Sequence, residues 1–536
     1  MRTLKLMTML VVLAGAAVAQ AAAAEMSAMA PADAKALIEV NNAAGLRQTL
    51  MESKFWAALQ GTQAFNEWRA SEKYAQMRQR VDEFLMNLAM DEGKALQTYL
   101  GGRMAVILLP SADEKKPDGV LLLEVADEAN AKLLLNAAGA VEAGKHGEIA
   151  LFEVQKENHT DRIAYVGGML VMSRATGNAL ERVLDTIPGE SLGATDNFRS
   201  ATEGLLPGWR IRAYAADVKP HKTPGAVAMA PQGDGHLHLE WRMLGGDPEL
   251  LAINEPTVLT SPSALPASTV AAVATAFHPA AIWEKVKAKL AQDAAGGADK
   301  LARAEMFLRG WFPGKKTDEI LGAFGPEAAL SLQKAEAGGA PGIVGLVKLT
   351  GTGKAVAQCL KDGLAAKAMI LAAMRDPEKT DGPRLNVREE TVGSTPLLIV
   401  EAPGLIEKVL GDWAKDIALT IAVTNNWLVV GTSVSGVKAS VQTATGDGSA
   451  TLAASLKAED VPAGAVTRWG TVRPAEGSEI VLGLAEQFAG KDRVEQAKKL
   501  TNLAELLNLI ERITWQSTEN PELVTGSADL QAVTFK

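Results

Sequence analysis

Residues 163–183, IAYVGGMLVMSRATGNALERV, and residues 421–441, IAVTNNWLVVGTSVSGVKASV, align without a gap at a constant offset of 258. A repeat on this scale constrains the fold more than composition does, because both copies must be able to bury the same pattern. In each, an apolar run is followed by two turn-forming residues, a second apolar run and a helical pattern. The turn is Gly167-Gly168 in the first and Asn425-Asn426 in the second, and both pairs tolerate the positive φ of a two-residue hairpin. Downstream, SLGATDNFRSA from 191 lies opposite SATLAASLKAE from 449. Upstream segments correspond with small shifts: YLGGRMAVILL (99–109) with AFGPEAALSL (323–332), and VLLLEVADEANAKLLLNAA (120–138) with IVGLVKLTGTGKAVAQCLKD (343–362).

The pattern predicts two tandem homologous modules, 30–255 and 268–536, joined by a Pro/Ser-rich linker at 256–267. A chain of 536 residues is long enough for two independent cores. The second module is longer, with insertions expected near 368–385 and 401–416 and an amphipathic helix over 478–513. Gln76 to Leu88 reads as a helix in the first. Hairpins outnumber crossovers, which predicts an α+β fold: in each module a mostly antiparallel sheet with helices packed on one face.

The N-terminus carries an address. Arg2 and Lys5 precede an apolar run from Leu6 to Ala19, followed by Ala21-Ala22-Ala23-Ala24. This is the layout of a secretory signal peptide, placed at 1–24, and the run is shorter than the roughly 20 residues that span a bilayer. The mature chain is therefore expected outside the cytoplasm, in a periplasm or beyond, with no transmembrane helix. Cys359 is the one cysteine, so no internal disulfide can form, which favours a bacterial envelope. The formal charge is −9, and no long basic stripe offsets it, so nucleic acid is not an expected partner.

Motifs that suggest chemistry fail on inspection. Gly351-Thr352-Gly353-Lys354 sits where a phosphate loop would, between an apolar run and a helix. A P-loop needs Gly where Lys348 stands and Ser or Thr where Ala355 stands. The aligned position in the first copy holds Asp127 and Glu128, which repel phosphate. The stretch reads as a strand-to-helix turn. GTSVSG (431–436) lacks the second glycine of a nucleophile elbow, and SLQK (331–334) lies on a strand. Cys359 falls in an apolar helical pattern with Val356, Leu360 and Leu364 and reads as packing. Trp56, Trp68 and Trp283 lie in helical patterns and are expected to pack. His236, His238 and Glu240 alternate along a strand and share a face, which makes them the weak candidates for a metal site. The chain has six histidines, and no second cluster completes a shell. No catalytic residue and no cofactor is predicted.

ADAKALIEV after the leader, YLGGRMAVIL, GVLLLEVADEANAKLLL, GGMLVMSRATGNALERVL and SLGATDNFRSA together resemble a family of exported bacterial proteins that carries only a domain-of-unknown-function label. The resemblance covers most of the first module and, more weakly, the second. It implies neither an activity nor a site residue. The function expected from the sequence is a non-catalytic exported binding or envelope-associated protein, whose partner is a small molecule, a lipid or an envelope protein. Two alternatives stay open: a periplasmic hydrolase whose carboxylates meet only in three dimensions, and a lipid or lipoprotein carrier.

Overall fold

The computed structural model describes residues 26–111, 117–125, 127–175, 177–218, 222–233, 235–245, 255–293, 296–334, 340–373, 385–402, 417–447, 450–487, 494–520 and 522–532. The segment read as a signal peptide and most of the two expected insertions lie outside the described residues. The chain divides into two compact units, Met1–Gly246 with Glu522–Lys536, and Asp247–Pro521.

In the first unit the strands are β1 (Ala36–Asn41), β2 (Arg103–Leu109), β3 (Asp118–Glu124), β4 (Val141–His146), β5 (Ile149–Gln155), β6 (Thr160–Val166), β7 (Met169–Arg174), β8 (Ile211–Val218), β9 (Thr223–Pro231) and β10 (His236–Leu244). The second unit contains β11 (Thr257–Val258), β12 (Thr269–Ala276), β13 (Phe324–Gln333), β14 (Gly342–Leu349), β15 (Asn386–Val392), β16 (Thr395–Glu401), β17 (Ile417–Val423), β18 (Trp427–Ser433), β19 (Ala465–Val466), β20 (Arg468–Val472) and β21 (Ile510–Glu519). The last strand, β22 (Leu523–Ala532), pairs with β10 and belongs to the first unit. That corrects the reading of 268–536 as one continuous module.

All of these pairings are antiparallel. The order in the first unit is β4-β5-β6-β7-β3-β2-β1-β8-β9-β10-β22. In the second it is β15-β16-β17-β18-β14-β13-β12-β20-β21. Strand for strand, the first nine positions follow the same path. The hairpin registers agree as well: Ile163 faces Met172 and Ala164 faces Val171, while Ile421 faces Val430 and Ala422 faces Val429. Those are the pairs that an offset of 258 demands. A one-residue slip would have turned every side chain to the opposite face.

Helices cover both faces of each sheet, not one. On β3, Leu122 packs with Ile107, Val171, Leu180 and Phe198, whereas its neighbour Leu123 packs with Leu88, Tyr99, Leu135 and Leu170. The second unit repeats this: Leu397 and Ile399 join Val437, Val441 and Leu452, while Leu398 joins Ala357, Ile421 and Leu428. Double burial is why β3 reads as the unbroken run Val120-Leu121-Leu122-Leu123 instead of an alternating pattern. Helix Glu72–Leu88 is present as expected. The segment 478–513 differs, because two helices, Pro474–Gln487 and Val494–Leu507, occupy it and Ile510 already starts β21.

Residues 256–267 are not a free linker. Thr257–Val258 pairs with Ala465–Val466, Ser261–Ala264 forms a short helix, and Ser261 and Leu265 are fully buried. Glu327 on β13 holds this segment down. Its carboxylate accepts from the Ser261 N–H at 2.7 Å, the Thr260 N–H at 2.8 Å and the Thr260 hydroxyl at 3.0 Å, and it is itself fully buried. Replacing it by Gln keeps one acceptor oxygen and turns an amide N–H2 towards either the Ser261 N–H or the Thr260 N–H and hydroxyl. Glu327→Gln is expected to lower unfolding stability by about 2 kcal/mol, read from the urea midpoint by tryptophan fluorescence. Glu124→Gln, in the partly exposed ion pair that Arg103 and Glu124 form at the corresponding strand ends of the first unit, should cost under about 1 kcal/mol.

Tyr214, edge-on to Phe198 at 5.1 Å between ring centroids, and Tyr99, whose hydroxyl donates to the Asn130 carbonyl at 3.1 Å, are buried in the first unit. Burial raises both phenol pKa values, with the Asp127 charge adding to Tyr99. The folded chain therefore keeps protons that the unfolded chain releases near pH 10. Stability from this source is complete below about pH 10 and is lost as pH climbs through the raised folded values. Alkaline denaturation should show that fall, and Tyr214→Phe should flatten it.

Candidate functional site

The alternating trio on β10 lies on one face, as its spacing requires. His236, His238 and Glu240 stand opposite Gln531, Asp529 and Ser527 of β22. His238 donates from Nδ1 to Asp529 Oδ1 at 2.6 Å, and its Nε2 lies 3.4 Å from Glu240 Oε1. His236 Nε2 lies 3.2 Å from the same Asp529 oxygen. The partner that the sequence did not supply is thus a carboxylate nearly 300 residues away. The two imidazoles converge on that oxygen rather than on an empty point between them. Among the described residues, no group of three or more His, Cys, Asp or Glu is placed to hold a metal ion.

The network ties β10 to β22 by side chains in addition to the backbone ladder. Asp529→Asn removes the charge that two imidazoles face, and it is expected to cost about 1 kcal/mol. The check is a chemical denaturation curve, with His236→Gln in the Asp529→Asn background adding less than it does alone.

The remaining motifs are structural. Gly351 has φ 50° at the turn, and a Cβ on Gly353 would sit 2.4 Å from the Ala323 carbonyl oxygen. Lys354 Nζ donates to Asn425 Oδ1 at 2.7 Å, in the hairpin. Both glycines serve chain packing, and the lysine is engaged. Ser433 caps helix Val434–Thr445 by accepting from the Gly436 N–H. Ser331 is buried and donates to the Val344 carbonyl. Cys359 is half-buried with Sγ 3.4 Å from the Pro313 carbonyl oxygen. Trp283 is buried as expected. Trp68 is not: it stacks with Tyr74 at 4.7 Å yet keeps 47% of its surface exposed.

A feature that the sequence did not single out lies on the helices between β12 and β13. An open cleft of about 440 Å³ is lined by Lys287, Arg309, Lys315, Lys316 and Thr317, with Glu305 and Asp318. A second cleft, of about 560 Å³, shares Lys287 and continues along Leu290, Gly297 and Leu301. Helices Pro279–Ala291, Gly297–Trp311 and Thr317–Gly322 build these walls. Lys287 Nζ sits 2.6 Å from Glu284 and 3.9 Å from Asp318, and the Glu284 hydrogen bond holds its pKa above the usual amine value. Arg309 pairs with Glu305 at 3.2 Å, and Lys315 pairs with Glu319. Thr317 is buried, and its hydroxyl has no hydrogen-bond partner among the described residues. No sequence signal marks this cleft, because its cations come from three separated segments with no shared spacing.

No family model matches the chain, and no curated protein matches it. The chain is similar to a solved structure described as "Structure of crystal form III of TP0453", with a TM-score of 0.24 and 9% identity over 42% of this chain and 82% of that one. A similarity at that level carries neither fold nor function across. No described helix is long and apolar enough to cross a membrane.

Proposed function

We propose that the chain is a non-catalytic, exported envelope protein that works by binding, built by tandem duplication of one α+β unit. The observation that carries the binding reading is the chemistry of the clefts. Cations, most of them in exchangeable surface ion pairs, line an open cleft beside helix Gly297–Trp311, and the same helix exposes large apolar side chains outside that cleft, Met306 at 65% and Phe307 at 68%. Such a wall suits an amphipathic ligand or surface better than it suits bond-breaking. Export is supported by the basic, apolar and small-residue layout of residues 2–24. Duplication is supported by the common strand order and the shared hairpin register.

An enclosed apolar pocket, the hallmark of a carrier, is a different object from these open, charged walls, so the envelope-associated reading is preferred to the carrier. The test is fractionation of the native host with N-terminal sequencing, followed by native mass spectrometry of the purified protein. A processed chain in the periplasmic or envelope fraction supports the proposal. An unprocessed chain in the cytosol, starting at Met1, defeats it.

A further inference from the structure

We infer that the helical wall of the second unit is a docking surface for an anionic phospholipid bilayer, with the cationic cleft taking lipid phosphate. This rests on the proposed envelope location and names the partner of that same surface. Three independent observations on the wall point the same way.

The first is apolar exposure concentrated on two packed helices. Met306 and Phe307 protrude from helix Gly297–Trp311, and Met369, Ile370 and Leu371 are each more than half exposed on helix Gly353–Ala373. The helices run side by side in opposite directions. Gly363 abuts the Trp311 carbonyl, and Lys367 donates to the Gly310 carbonyl at 2.7 Å while lying 3.8 Å from the Trp311 ring centroid. One further turn along each brings Ile370 and Leu371 level with Phe307, so these three exposed side chains fall together along the seam of the two helices. Single exposed apolar residues are ordinary, whereas a contiguous patch signals a partner.

The second is charge. The chain as a whole has 54 Lys and Arg against 63 Asp and Glu, but residues 279–322 have eight against six and residues 353–373 have three against one. A local cationic excess inside an acidic protein selects an anionic surface over a neutral one. The third is the cleft itself. Lys316 is exposed and has no ion pair among the described residues, and it stands beside Lys287, Arg309 and Lys315. The buried Thr317 hydroxyl, which also lines the cleft, has no hydrogen-bond partner among the described residues. Glu305 and Asp318 share the cleft, so its net charge is positive but modest. That favours a single phosphate rather than a polyanion. Basic groups at headgroup depth beside apolar groups that reach the acyl boundary are the arrangement of a protein that lies on a membrane without crossing it.

The experiment is vesicle flotation of the purified, processed protein at physiological salt. Equimolar phosphatidylglycerol and phosphatidylcholine vesicles are compared with pure phosphatidylcholine, with and without millimolar inorganic phosphate. The expected result is at least about tenfold greater partition onto the anionic vesicles, lost progressively as salt is raised. Phe307→Glu and Lys316→Glu should each reduce it by about fivefold or more. Phe84→Glu, the same change at an exposed phenylalanine of the first unit, should leave it unaltered. All three side chains project into solvent, and an unchanged thermal midpoint for each variant confirms folding.

Equal partition onto neutral vesicles, no partition at all, or equal loss with Phe84→Glu would overturn the inference. Saturable binding of inorganic phosphate by a protein that ignores vesicles would identify a free-phosphate site and overturn it too. A processed protein that fractionates with the envelope yet leaves anionic vesicles alone defeats only this surface. A cytosolic, unprocessed chain defeats the envelope reading instead.

Discussion

Burial of the central ladder on both faces is the constraint on which the rest of the structure depends. At β7-β3-β2, Leu122 and Leu123 point to opposite sides, and each meets a helical layer. Where the central strands are enclosed in this way, no wetted face is left on which a polar site could form. Polar groups that stay inside must therefore be matched with partners. Glu39 and Arg212 pair at 2.7 Å across β1 and β8, with the guanidinium 4.6 Å from the Trp209 ring centroid. Asp460 and Arg512 pair at 2.8 Å, and Asp460 also accepts from the Thr514 hydroxyl. Buried pairs of this kind offset their own desolvation without adding much stability, and removing one member is the damaging change. Binding chemistry is left to the outer helices and the sheet ends.

The parts of the fold visible in the sequence are those fixed by local rules. The hairpins at 163–174 and 421–433 were legible because turn residues and apolar runs jointly specify register. The helix Glu72–Leu88 was legible from its spacing. What failed was long-range. A continuous run such as Val120 to Leu123 cannot say whether one or two helical layers cover it. The apolar spacing that suggested one helix over 478–513 runs from Val494 to Leu507 in the second of two helices and on to Ile510 in β21, and nothing in it marks where the first helix ends. The stretch 256–267 has linker composition, yet Glu327, some 60 residues on, supplies the acceptors that fold it down.

The site residues divide along the same line. The shared face of His236, His238 and Glu240 followed from strand geometry, whereas Asp529 became their partner only through the return of β22 to the first unit. The cleft around Lys287 was invisible because Lys287, Arg309 and Lys316 belong to different helices and turns. Its counterpart region in the first unit is neutralised: Arg47 and Arg78 both bind Glu92, at 2.6 and 2.7 Å. The two units thus follow the same strand order and differ in the charge of their helices, whose outer surfaces are the positions least constrained by the ladder.

One ion pair shows how differently the two units place charge on the same strand order. Arg103 on β2 meets Glu124 at the end of β3 at 3.2 Å, and the matching positions on β13 and β14 hold Glu327 and Lys348, 4.0 Å apart. The charges have exchanged strands. In the first unit both partners are partly exposed, so solvent supports each and the pair stands alone. In the second, the carboxylate has become fully buried, and a lysine at 4.0 Å is too distant to compensate it. The backbone of residues 260–261 does so instead, contributing two N–H donors and drawing the preceding segment into the unit. The buried carboxylate and the ordering of the chain before β12 therefore go together: a buried acceptor demands donors, and that segment supplies them.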